Sequence, residues 1–140
     1  KAVSTLGKIG NEAHVPLFVE KLRINDRRVK ANAIEALENI GGKKVYEFLN
    51  LLVDEQDNRV KANILIALGK YGDLKVFDLL SKMIKDHDPN MRSSAAFALG
   101  KLGMAQGVDP LISALGDKDL NVRRQVVASL NSLRADLDLE

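Results

Sequence analysis

Cysteine and tryptophan are both absent from the 140-residue chain. Without a thiol there can be no disulfide staple, no thiolate metal ligand and no cysteine nucleophile. Aromatic residues make up only 4% of the chain while hydrophobic residues make up 46%, so any core is aliphatic, as in stacked helices. No apolar run approaches the roughly 20 residues needed to cross a bilayer, and no signal-peptide pattern is present. A cytoplasmic protein without membrane contact is the expectation. Charge of one sign is also lacking: 21 basic against 19 acidic residues leave a net +2, so any electrostatic signal must come from how the charges are distributed.

Catalytic signatures are missing too. The two histidines, His14 and His87, are not followed by glutamate and no His/Asp/Glu cluster has metal-ligand spacing. Neither a phosphate-binding loop nor a glycine fingerprint between strand and helix occurs. No catalytic residue, no metal site and no cofactor is expected, and both histidines read as structural.

What is present is a repeat. "DRRVKANAIEALENIG" at 26–41, "DNRVKANILIALGKYG" at 57–72, "DPNMRSSAAFALGKLG" at 88–103 and "DLNVRRQVVASLNSLR" at 119–134 begin on Asp26, Asp57, Asp88 and Asp119, each 31 residues after the last. A fixed period without insertions marks units that bury their apolar faces only against neighbours. In the copy at 57–72, Val60, Ile64, Ala67, Leu68 and Tyr71 fall on one side of a helix. Asp57 stands where a side chain can cap the first turn, and Gly72 where a left-handed exit is needed. A shorter amphipathic run precedes each: "HVPLFVEKL" at 14–22, "VYEFLNLLV" at 45–53, "VFDLLSKMI" at 76–84 and "GVDPLISAL" at 107–115. Pro16 and Pro110 sit near the starts of these first helices, where a missing amide costs little. The chain is thus expected to hold complete helical hairpins at 11–41, 42–72, 73–103 and 104–134, a lone second helix at 1–10 and a tail at 135–140. That lone helix leaves an apolar flank open and the first residue is Lys1, so the expectation is a fragment of a longer array.

The pattern D-x-x-V-[RK]-x-x-A-x-x-A-L-x-x-[IL]-G, alternating with V-x-x-L-x-x-x-L, resembles the HEAT-repeat family in its short bacterial and archaeal form, known as PBS-lyase HEAT-like. The resemblance covers residues 1 to about 134. It implies an all-α, right-handed α-solenoid of helical hairpins, with the second helices lining a concave face, and a role as scaffold or adaptor. It also implies a polar ladder along the stack, built from Asp26/Lys30, Asp57/Lys61, Asp88/Arg92 and Asp119/Arg123; the spacing of four lets a cap and a first-turn base meet. Departures occur: Glu38 and Asn131 replace the glycine of Gly7, Gly69 and Gly100, and Val126 and Ser129 replace alanines.

On the predicted concave rows, Ile66 points away from the core side of its own helix, and Phe97 holds the same place one repeat later. Two readings stand for this pair: semi-buried packing, or an exposed patch that anchors a partner. The second is preferred. The candidate partner-binding residues are Asn32, Glu35, Asn63, Ile66, Lys70, Ser94, Phe97, Lys101, Arg124 and Gln125, with a peptide or helix of a partner protein as ligand and the lysines favouring an acidic one. Two alternatives compete. Lys1, Lys8, Lys70, Lys101 and Arg124 against Glu35 leave these rows basic enough to consider nucleic acid, although aromatic stacking platforms are lacking. An accessory subunit that holds a substrate for a lyase or acts as a chaperone is the other. Open ends of such an array also allow end-to-end self-association.

Overall fold

The computed structural model of the chain describes residues 12–137. All regular structure among them is helical: α1 (Val15–Lys21), α2 (Arg27–Ile40), α3 (Lys43–Asn50), α4 (Asn58–Lys70), α5 (Lys75–Met83), α6 (Pro89–Leu102), α7 (Val108–Ser113) and α8 (Leu120–Asp136), with short 3₁₀ turns at Glu12–His14 and Ala105–Gly107. Short and long helices alternate because each 31-residue copy carries one brief apolar run and one capped, longer one. The lone helix expected at 1–10 lies outside the described residues, as do residues 138–140.

The chain forms two compact units that divide between Tyr71 and Gly72. In the first, α1 packs on α2, α2 on α4, and α3 on α4. Phe18, Ile34, Leu37, Val45, Leu49, Ile64 and Leu68 fill its core and are almost wholly shielded from water. In the second, α5 packs on α6, α6 on α8, and α7 on α8, around Val76, Leu80, Leu99, Leu111, Val122, Val126 and Leu133. Each buried leucine contributes about 1.5–3 kcal/mol by leaving water, and no single hairpin could collect enough of them alone. Tyr71 belongs to the first core; its ring lies 5.2 Å from that of Tyr46, centroid to centroid, and its buried hydroxyl has no hydrogen-bond partner among the described residues. Burial, and then the charge of Glu38, push its hydroxyl pKa up.

Helix starts and stops follow local chemistry. Asp26, Asp57, Asp88 and Asp119 each sit in extended backbone, and each carboxylate accepts amides of the first turn that follows. At the other end Gly41, Gly72 and Gly103 adopt positive φ, which a side chain would resist. Arg134 occupies that place in the last copy. With no glycine to turn the chain, α8 runs on to Asp136.

The small residues mark where helices touch. A Cβ added to Gly100 on α6 would lie 2.7 Å from the Cβ and Oγ of Ser129 on α8 and 2.9 Å from its Cα. The Ser129 hydroxyl donates to the Ala96 carbonyl at 2.7 Å and accepts from Gln125 Nε2 at 3.1 Å. Serine in place of the repeat's alanine therefore adds a hydrogen bond between α6 and α8. Gly100→Ala is expected to cost about 1–3 kcal/mol by overpacking this contact, read as a lower urea midpoint at an unchanged m-value. Gly116→Ala, whose new Cβ meets nothing within 4 Å, is the control and should shift stability far less.

Candidate functional site

Polar side chains concentrate at the loops that lead into the second helices. Three of these loops carry an acid two residues ahead of the capping aspartate: Glu55, Asp86 and Asp117. Each accepts the amide of its own cap, Asp57, Asp88 or Asp119, at 2.8 to 2.9 Å. The first loop has Ile24 in that place, and there the Ile24 backbone carbonyl accepts the Asp26 amide at 2.9 Å.

The bases expected to meet their own caps do not meet them. Lys30 Nζ reaches Glu55 at 3.4 Å, in the loop of the next hairpin. Arg92 does the same with better geometry, its Nε and Nη2 donating to the two oxygens of Asp117 at 2.8 and 3.1 Å. Its Nη1 also donates to the carbonyls of Asp86 and His87. A base in the first turn of one second helix therefore clamps the loop of the following hairpin. The reason lies in direction: residues four apart on a helix share a face, but the cap turns its Oδ1 to the first-turn amides, and the base extends sideways toward the neighbour. Arg27 adds a parallel bond in the first unit, its Nε 2.9 Å from Asp57 Oδ2.

Lys61 corrects the expected ladder outright. Its ammonium makes no ion pair with Asp57 or with any other acid among the described residues, and the side chain is half-buried on α4. Asp57 has no oxygen left for it: Oδ1 accepts the Arg59 and Val60 amides and Oδ2 takes the Arg27 guanidinium. The acid 25 residues ahead of Lys61 is Asp86, which belongs to the second unit and accepts the Asp88 amide. Arg123 turns its Nη1 to the Asp117 backbone carbonyl, at 2.6 Å. The rungs that form are thus Lys30 to Glu55 and Arg92 to Asp117, each within one unit.

These contacts set the protonation of the acids. Hydrogen bonding to the Arg92 guanidinium, together with the Asp119 amide, holds the Asp117 carboxyl below the usual range despite its burial, and Asp117 in turn raises the Arg92 pKa. At Asp57 burial pushes upward, but the Val60 and Arg59 amides and the Arg27 guanidinium outweigh it, so the carboxyl is lowered.

The expected partner-binding residues separate into four groups. Ile66 is buried, with 6% of its surface exposed, which corrects the expectation that it projects outward. Helix α4 is shielded on nearly every side, with Ala62, Leu65 and Gly69 buried as well, so pointing away from Val60 and Ile64 does not bring a side chain to water. Other candidates have internal partners: Lys70 forms an ion pair with Glu38, and Gln125 is bonded to Ser129. Asn32, Asn63 and Ser94 are half-buried. That leaves Glu35, Phe97, Lys101 and Arg124 at the surface, with Phe97 45% exposed. Lys101 follows Phe97 by one turn on α6. Arg124 precedes Ala128, the repeat equivalent of Phe97, by one turn on α8. Neither base has an ion-pair partner among the described residues.

The loop acids were the residues that composition and periodicity passed over. Their signal is an acid two positions before three of the four caps, visible once the copies are aligned but overshadowed by the caps themselves. No group of residues able to hold a metal ion occurs among the described residues, and none of their helices is long and apolar enough to cross a membrane. His87 is exposed, its Nδ1 3.4 Å from Asp86.

The profile of the family described as HEAT repeats matches residues 1–69 and 45–131. Eighteen chains of solved structures match as well. One is a crystal structure of an engineered protein, 20% identical, with a TM-score of 0.55; the match covers 89% of this chain and 64% of that one. No curated protein matches the chain.

The lowered Asp117 pKa makes a signed prediction. Its contribution to stability is fully present above the ordinary carboxylate value of 3.8 and is lost as pH falls through the lower folded-state value. The native chain should therefore lose more stability as pH falls below the ordinary carboxylate value of 3.8 than Asp117→Asn, which starts lower at pH 7. Urea midpoints at several pH values check this, and parallel acid limbs would contradict it.

Proposed function

The chain belongs to the HEAT-repeat family, and from that premise we propose that it is a non-catalytic scaffold that holds a segment of a partner protein on the surface of its second helices. HEAT repeats generally serve protein–protein interaction. The observation that carries the reading here is Phe97: a large apolar side chain, 45% exposed, with Lys101 one turn further along α6 and Arg124 exposed on α8, the helix packed on α6. An apolar anchor ringed by charge is the usual composition of an interaction hot spot. The two bases favour a segment with acidic groups flanking an apolar residue.

Ile66 has no place in this surface. Its burial makes it a core residue, so it serves as the stability control. Phe97→Ser combined with Arg124→Glu is expected to weaken retention of a captured partner protein on the immobilised chain by at least about tenfold, with the melting temperature nearly unchanged. Ile66→Ser should instead lower the melting temperature by several degrees, as loss of a buried side chain does. Undiminished retention by the double variant would reject the surface. Retained nucleic acid, lost steeply with added salt, would point to phosphate binding instead.

A further inference from the structure

We draw no further inference here: the strongest candidate, the apolar surface left exposed on the first helices of the first unit, with Leu17 on α1 and Leu51 at the end of α3, carries nothing because nothing in the structure shows what covers it.

Discussion

Asp117 accepts the amide of Asp119 within its own loop and the guanidinium of Arg92 from the hairpin before it, and the geometry of the second unit depends on that double engagement. The first bond shapes the loop and brings Asp119 to the place where it can cap α8. The second fixes how far along α6 that loop sits. Apolar burial supplies most of the favourable free energy of such a unit, but it is nearly indifferent to direction. A stack of aliphatic helices could slide by one residue, about 1.5 Å and 100°, and still bury leucine. A two-point bond between a planar guanidinium and a carboxylate cannot slide that way. The pair therefore contributes register more than energy, since desolvating two charges offsets much of their attraction.

The first unit uses the same device with weaker parts. Lys30 replaces arginine and Glu55 replaces aspartate, and the bond is single and longer, at 3.4 Å. Arg27 and Asp57 add a second connection beside it, and Glu38, standing where Gly100 stands in the later repeat, is joined to Lys70. Where α6 and α8 approach through glycine and serine, α2 and α4 are tied by charged side chains. Small residues allow the backbones close; long paired ones tie them at a greater reach. Both solutions hold second helices side by side, and each follows from one substitution at the same repeat position.

The period, the four caps and the glycine exits were legible because each rests on neighbours in sequence. Asp57 and its first-turn amides, or Gly72 and its positive φ, need nothing from the rest of the chain. The destinations of Lys30 and Arg92 were not legible in the same way, and neither was the absence of one for Lys61. A spacing of four says that cap and base share a face, but not which way the base extends from it or that an acid waits 25 residues ahead. Ile66 and Phe97 show the limit of angular reasoning. They occupy one position of the repeat and both point away from their own core row, yet one is buried and the other is not. A helical wheel has a single inside; a helix within a stack has several, and α4 is covered on nearly all of them.

A repeat supplies its own internal control, which an irregular fold cannot. Exposure of a single phenylalanine would ordinarily need no explanation, because scattered apolar groups are normal at protein surfaces. In this chain each position is observed up to four times. Of the equivalents of Phe97, Ile66 is apolar but buried, while Glu35 and Ala128 are exposed but carry no large apolar group. The deviation is therefore measured against the molecule rather than against proteins at large, and the exposed ring marks a feature added to the repeat. An added feature fits recognition that evolved on the surface of the second helices.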